Sequence, residues 1–447
     1  MAKHTERLAF LLGQGPLSPR EIQEKLGLSQ PTLSRAVQAL GPEIIRIGRG
    51  RSIQYGLRDS GRGLGEIPVY RVGEGGTLED LGRLLPVRPA GFVLIQPDGK
   101  TSHSDSLPWW LDDMRPQGYL GRLYVARQWE HLGLPAQLKD WDDTHVLRAL
   151  LQDGADCIGN LLLGEGARAT FLADLPGPAI REEDLPEAYP RLAEAAARGA
   201  LPGSSAGGEQ PKFIAYVQGE SGPRHVLVKF TLPAANPVSQ RWRDLLLAEH
   251  LALQALNQAG IPAVSSRLLD WGNQRFLEGE RFDRIGTLGR RGVFSLGTVD
   301  AQFTGVGRGG WTVICQALAR AGILSQEGVG EAARLQAFGH LIGNTDMHPG
   351  NLSLIAAEAP PYALAPAYDM LPMAFAPTAG GDLPQTLASA PLPPAIGAEA
   401  WRRALGVARD YLARLREESG FSAAFRPCIG ALETHLAAMA EQISRLA

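Results

Sequence analysis

The chain has 447 residues, 44% hydrophobic and 20% charged, with a formal net charge of −3. This length exceeds one ordinary core and predicts two to four domains, and the composition excludes a disordered or collagen-like chain. Cys157, Cys315 and Cys428 lie far apart with no CxxC spacing, which argues against a disulfide framework or zinc site and fits a reducing cytosol. The N-terminus lacks a signal-peptide layout and the apolar run Leu8–Leu12 is too short to span a bilayer, so a cytoplasmic protein with no membrane partner is expected. Charge is uneven: residues 1–63 carry ten Lys/Arg against five Asp/Glu, and the remainder carries 34 against 42. A basic module on an acidic body confines any nucleic-acid contact to the N-terminus.

The first element expected is a short helix over residues 6–12. Ser18-Pro19-Arg20-Glu21 opens a second, with Ser18 as N-cap, Pro19 at the first helical position and Glu21 completing a capping box. After Gly27, Ser29-Gln30-Pro31-Thr32 opens a third helix with Leu33, Val37 and Leu40 on one face. Strands at Ile44–Ile47 and Ser52–Leu57, joined by Gly48-Arg49-Gly50-Arg51, read as a hairpin, so residues 1–63 form a winged helix-turn-helix. On its third helix Gln30, Thr32, Ser34, Arg35 and Gln38 would face a major groove, and Arg46, Arg49 and Arg51 on the wing would meet phosphates of a DNA operator. Docking to protein is the alternative use of the same module. Gly61–Gly65 reads as a linker.

Residues 66–195 form a mixed subdomain, with strands at Val69–Val72, Gly91–Ile95 and Ile158–Leu163, a packed loop and short helix around Trp109–Met114, and a helix over Ala188–Arg198. Residues 196–300 begin with the Gly/Ser-rich stretch 203–208. Strands at Phe213–Val217 and His225–Phe230 follow, then a long helix over Ser239–Gln258 and strands at Ser266–Asp270 and Gln274–Glu280. Residues 301–447 are mostly helical, with surface-crossing loops over 356–400 and amphipathic helices at 400–417 and 429–446. No internal repeat is visible.

Four features carry chemistry. They are the Gly/Ser loop, whose amides suit phosphates; Lys229 at the end of an apolar strand; Glu249 twenty residues on; and the polar segment holding Asp346 and Asn351, with Asp369 eighteen residues later. Each alone has an ordinary reading: a surface loop, a solvated strand-end lysine, an exposed helix acid, a chance Asp-x4-Asn. Their order is that of a protein-kinase fold, in which one carboxylate accepts a hydroxyl proton while an amide and a second carboxylate hold a metal.

In detail the residues resemble the HipA-type kinases, toxins of bacterial toxin–antitoxin modules. Ser204-Ser205-Ala206-Gly207-Gly208-Glu209-Gln210-Pro211-Lys212 is similar to their phosphate loop, Glu280-Arg281-Phe282-Asp283-Arg284 to their hinge, Leu341–His348 with Asn351 to their catalytic loop, and Tyr368-Asp369-Met370-Leu371 to their metal-binding motif. The resemblance runs from about residue 66 to the end, and the added N-terminal module resembles the YjjJ (HipH) branch. It implies an α+β multidomain chain with a mixed N-lobe and a helical C-lobe, binding ATP and Mg2+. Asp346 would be the general base toward a protein Ser/Thr hydroxyl, and Asn351 and Asp369 the metal holders. Lys229, positioned by Glu249, would contact the α/β-phosphates. The backbone of Glu280 and Phe282 would read adenine, and His348 would pack the loop beside the nucleotide. Ser204 would be an autophosphorylation site that shuts off the enzyme, since phosphate charge in a phosphate-cradling loop repels ATP. A protein substrate (an aminoacyl-tRNA synthetase is one family target) and an antitoxin protein are the implied partners. Two departures stand out: Pro349-Gly350 replaces the family's lysine before Asn351, and Lys212 is displaced by one residue. Two other functions stay open: a DNA-binding transcriptional regulator with an inactive or ATP-sensing kinase body, and a small-molecule kinase.

Overall fold

The computed structural model describes residues 2–173, 176–198, 210–220, 222–388 and 390–446. The N-terminal module is α1 (Ala2–Leu12), α2 (Pro19–Leu26) and α3 (Gln30–Leu40), followed by the antiparallel pair β1 (Ile44–Ile47) and β2 (Gln54–Leu57). Its core is Leu8, Leu12, Ile22, Leu33, Ala36 and Leu57. The expected capping box is present: Ser18 Oγ accepts from the Glu21 amide while Glu21 receives the Ser18 N–H at 2.8 Å. Helix α1 begins four residues earlier than the apolar spacing indicates.

The wing does not stand free. Ile45 and Ile47 pack against Leu85, Val87 and Val93 of the next subdomain. The Gly48 amide donates to Thr101 Oγ1 at 2.7 Å, and the Arg49 guanidinium donates to the Asp98 carbonyl. The expected linker at 61–65 is likewise packed. Arg62 bonds Asp59 at 3.0 Å, the Val87 carbonyl at 3.0 Å and the Gly91 carbonyl at 3.3 Å, lies over the Phe92 ring, and is followed by the buried Leu64. Glycine-rich composition signals flexibility only where nothing packs on it, and here a cation and a leucine on either side anchor the chain.

The middle subdomain is built on a five-stranded sheet of order β6-β5-β4-β3-β7: β3 (Ile67–Val72), β4 (Leu78–Pro86), β5 (Phe92–Ile95), β6 (Thr101–Ser104) and β7 (Leu161–Leu163). Helices α4 (Gly118–Gln128), α5 (Asp143–Asp153) and α6 (Gly164–Ala173) complete it. The strand expected from Ile158 starts only at Leu161, because Gly159 turns at φ 82° and donates its N–H to Asp283 instead of to a neighbouring strand.

Helix α7 (Leu185–Ala197), expected in the subdomain ending at 195, belongs to the next one. Its Leu185, Tyr189, Ala193 and Ala196 pack on the sheet β10-β11-β9-β8, and Tyr189 Oη donates to Glu278 at 2.7 Å. That antiparallel sheet comprises β8 (Lys212–Gly219), β9 (Gly222–Phe230), β10 (Ser266–Trp271) and β11 (Gln274–Glu280), with the 22-residue α8 (Pro237–Gln258) between β9 and β10. One short pair follows, β12 (Arg284–Ile285) with β13 (Gly289–Arg290), and then the strand β14 (Gly292–Ser295).

The expected lobe boundary at 300/301 cuts through α9 (Leu296–Phe303). The helical lobe instead begins at β14, which pairs with β15 (Ser353–Ala356) and, through it, with β16 (Ala363–Leu364). Helices α10 (Gly310–Arg320), α11 (Gln326–Leu341), α12 (Ala398–Glu417) and α13 (Arg426–Ser444) surround the largest core, around Trp311, Phe338, Trp401 and Tyr411. Sequence neighbours on either side of residue 300 share one helix, which spacing alone does not reveal.

A buried ionic network fastens the middle subdomain to the hinge segment. Asp283 receives Arg281 Nη2 at 3.0 Å and Arg284 Nη1 at 2.7 Å, while Asp156 receives the other guanidinium edges. Burial opposes the Asp283 charge, but Arg281 and Arg284 outweigh it and hold the carboxyl far below the ordinary range. Burial likewise opposes Asp156, and the same two arginines draw it down to about 2. A depressed carboxyl contributes stability above its unfolded value near 4, and that contribution disappears as pH falls through the folded value. Melting temperature is therefore expected to drop as pH falls from about 4 toward 2. Asp283→Asn, which leaves two buried guanidiniums short of a charge, is expected to cost about 3–5 kcal/mol in chemical denaturation and to flatten that acid limb.

Candidate functional site

The strand register explains the first part of the site. Lys229 on β9 pairs across the sheet with Lys212 on β8, so both lysines project from the same face toward α8. Glu249, three turns into α8, meets Lys229 Nζ with both oxygens at 2.5 and 2.7 Å. Asp369 meets the same Nζ at 2.5 Å from the helical lobe. The ammonium and Glu249 are almost fully buried. Burial disfavours the Lys229 charge, yet Asp369 and Glu249 outweigh it and raise its pKa, so it stays protonated. Two carboxylates share this one ammonium. Burial pushes the Glu249 carboxyl up even as Lys229 draws it down, while Lys229 and Lys212 together hold Asp369 below the ordinary range against its own burial.

The catalytic-loop candidate follows α11. Gly343 turns the chain out of the helix at φ 75°, a left-handed conformation that favours glycine. Asn344, buried, bridges the loop: its Oδ1 accepts from the Asp346 amide at 3.0 Å and its Nδ2 donates to the Asp369 carbonyl at 3.1 Å. Asp369 itself has φ 55°, the one non-glycine in this region among the described residues, and Asp tolerates it better than most side chains. Asn351 Nδ2 donates to the Asp346 carbonyl at 2.8 Å, which leaves Oδ1 as its acceptor for a ligand. The Asp346 side chain is 52% exposed. His348 Nδ1 accepts from the Gly350 amide at 3.0 Å, the loop-packing role expected for it, and Trp311 Nε1 donates to the His348 carbonyl at 3.0 Å.

Lys229, Glu249, Asp346, His348, Asn351 and Asp369 line one cavity of about 750 Å3 between the lobes. Its sides include Leu227, Leu253, Val264 and Leu277, an apolar slot of the kind that takes a flat ring. Glu280 and Phe282 lie at its edge, and the Phe282 ring stacks on Tyr368 at 5.9 Å. The Glu280 amide is bonded to the Ser265 carbonyl at 3.0 Å, so of its two backbone groups the carbonyl is the one for a ligand. Lys212, one position off the family pattern, still lines this cavity, buried beside Lys229. Among the described residues no group of three or more His, Cys, Asp and Glu could hold a metal unaided. The Asn351 amide and the Asp369 carboxylate are hard oxygen donors that suit Mg2+, which usually completes its shell with phosphate oxygens and water.

The expected phosphate-loop residues Ser204, Ser205, Ala206, Gly207 and Gly208 lie outside the described residues. The expected DNA-contact residues are elsewhere, on α3 and the wing. Ser34, Arg35, Gln38, Arg46, Arg49 and Arg51 are exposed. Thr32 is half-buried beside Ser29 Oγ at 3.0 Å, and Gln30 Oε1 receives Gln23 Nε2 at 2.8 Å. Arg49, while exposed, also donates to the Asp98 carbonyl of the middle subdomain.

Sequence reasoning assigned no individual role to five contributors. Arg281, Asp283 and Arg284 of the hinge serve the buried network, Asn344 ties the loop to Asp369, and Asp113 reaches the cavity from the middle subdomain. Asp113 accepts from the Ser295 amide at 2.7 Å and Thr298 Oγ1 at 3.0 Å at the start of α9; burial raises its pKa in spite of these donors. Only the Asp-Asp pair at 112–113 beside Trp109-Trp110 hinted at it. Tyr368 is the simplest test of loop anchoring, since its Oη sits 2.7 Å from Ser353 Oγ and donates to the Gly350 carbonyl at 2.9 Å. Tyr368→Phe is expected to cost about 1 kcal/mol of stability by denaturation.

A family model described as the YjjJ-like toxin middle domain matches residues 64–172, and one described as the HipA-like C-terminal domain matches residues 204–437. The first stops before α7, in agreement with the packing of that helix. Toxin YjjJ of Escherichia coli K12 is 38% identical over 442 residues, covering 98% of this chain and 99% of its own. The HipA toxin of Shewanella oneidensis MR-1, solved with HipB and its operator DNA, aligns over 84% of this chain and 97% of that one with a TM-score of 0.52 at 16% identity, a likeness of fold. No helix among the described residues is long and apolar enough to cross a membrane. The chain belongs to the HipA-like toxin family of toxin–antitoxin systems, and to its YjjJ-like branch.

Proposed function

We propose that this protein is an ATP-dependent Ser/Thr protein kinase that acts as a toxin and contacts DNA through α3. The observation that carries the kinase reading is the Lys229–Glu249–Asp369 cluster facing the Asp346/Asn351 loop across one cavity. Bound Mg-ATP would supply the γ-phosphoryl group and a cation to shield its charge. Asn351 Oδ1 and the Asp369 carboxylate would hold that cation. Lys229, kept protonated by its two carboxylates, lends fixed positive charge to the phosphates, and Lys212 adds a second charge where Pro349-Gly350 supplies none. Asp346, exposed beside the cavity, accepts the proton of a protein hydroxyl. Its exposure favours a macromolecular acceptor over a small enclosed one.

Incubation with labelled ATP and Mg2+ is expected to label a Ser/Thr residue on the protein itself, Ser204 foremost, and on at least one cellular protein. Asp346→Ala is expected to lower transfer by about 10²–10⁴-fold while leaving the thermal midpoint unchanged. Well-folded wild-type protein that binds ATP yet labels nothing would favour the ATP-sensing regulator instead. Phosphoproteomics comparing induced wild type with Asp346→Ala identifies the substrate.

The DNA reading rests on the exposed face of α3 and on the operator bound in the solved HipA–HipB complex. An antitoxin partner is proposed on the same ground. Deleting residues 1–63 would bare Leu85, Val87 and Val93, so point variants are the cleaner probe. Arg35→Ala is expected to weaken binding to the protein's own promoter region by about 1–3 kcal/mol in fluorescence anisotropy at fixed salt. Unchanged affinity in Arg35→Ala and Gln38→Ala together would leave α3 a protein-docking element.

A further inference from the structure

A second cavity, of about 390 Å3, shares Arg281 with the first and is lined by Asp156, Phe171, His225, Arg284 and Arg290 among others. Three guanidiniums are buried here, with Arg281, Arg284 and Arg290 only 9%, 9% and 7% exposed. Two carboxylates, Asp156 and Asp283, face them, and both are taken up by Arg281 and Arg284. Arg290 is left over. Its Nη2 donates to the Ala155 carbonyl at 2.8 Å and its guanidinium lies 5.1 Å from the Phe171 ring centre. Its Nη1 is buried and has no hydrogen-bond partner among the described residues. Burial, with the charge of Arg284, draws Arg290 down to about 9, whereas the carboxylates around Arg281 outweigh burial and raise it. A surplus buried cation with an unused donor is costly unless an anion completes it.

We propose that this second cavity is a binding site for a small oxyanion, a phosphate or carboxylate group, held by the Arg290 guanidinium within the surrounding positive charge. A planar guanidinium offers such a group directional donors, the Phe171 ring packs against it, and the cavity has room for a ligand larger than the bare ion. The site adjoins the hinge network and not Lys229 or Asp346, so it is independent of the kinase reading.

Thermal unfolding of the full-length protein tests this, with sodium phosphate and sodium succinate each compared against sodium chloride at equal ionic strength. At saturation one of the oxyanions is expected to raise Tm by about 2–4 °C in the wild type. The shift is expected to vanish in Arg290→Met, which keeps the packing on Phe171 and removes the charge. A shift with phosphate alone marks a phosphorylated ligand, and one with succinate alone marks a carboxylate. Any phosphate site in the larger cavity is common to both proteins, so the difference between them reports on this cavity. An equal shift in Arg290→Met, or no oxyanion-specific shift in the wild type, overturns the proposal. If Arg290→Met does not fold, a tungstate soak of wild-type crystals decides: an anomalous peak in this cavity within hydrogen-bond distance of the Arg290 guanidinium supports the site, and its absence there rules it out.

Discussion

One buried ammonium holds the two lobes in register. Lys229 comes from the sheet, Glu249 from the helix packed on it, and Asp369 from the opposite lobe, and all three meet within 2.5–2.7 Å. A lysine without these partners would lose its charge on burial. With them it stays protonated, and the geometry of sheet, helix and loop is tied to its position. The cavity between the lobes is the space this contact defines, and the left-handed Asp369 backbone shows how tightly its carboxylate is aimed.

A second ionic cluster does comparable work away from the chemistry. The segment Glu280–Arg284 performs two tasks at once. Glu280 and Phe282 edge the cavity, while Arg281, Asp283 and Arg284 form the ionic network with Asp156 of the middle subdomain. In this way the middle subdomain is fixed to the hinge, and its Asp113 arrives at the start of α9 beside the loop that bears Asp346. The N-terminal module is fastened in turn by the wing and by Arg62. The chain is thus a series of modules whose junctions are packed.

Much of the candidate site was legible because the phosphoryl transfer proposed for it needs particular residue types in a particular order along the chain. Lys229, Glu249, Asp346, Asn351 and Asp369 were all identifiable before any coordinates, and all come together. The strands over 213–217, 225–230, 266–270 and 274–280 were legible from β-branched and aromatic runs, and α8 from its apolar periodicity. The middle subdomain was less so. Strand β4, Leu-Glu-Asp-Leu-Gly-Arg-Leu-Leu-Pro, shows no clean alternation because one end is exposed and the other is buried on both faces. Helix α7 was seen as a helix but assigned to the wrong neighbour, since its apolar face does not state which sheet it covers.

The amino-acid sequence by itself determined the order of the chemical groups, the secondary structure around them and the family, because these depend on local residue type and spacing. Only the tertiary structure decided which charges are paired. It tied the exposed Arg49 to the middle subdomain, made the glycine-rich 61–65 segment an anchored joint, brought the displaced Lys212 back beside Lys229, and left Arg290 with an unmatched donor. Such outcomes depend on the distance between residues far apart in the chain and on exclusion of water from between them, and neither quantity is written in local sequence.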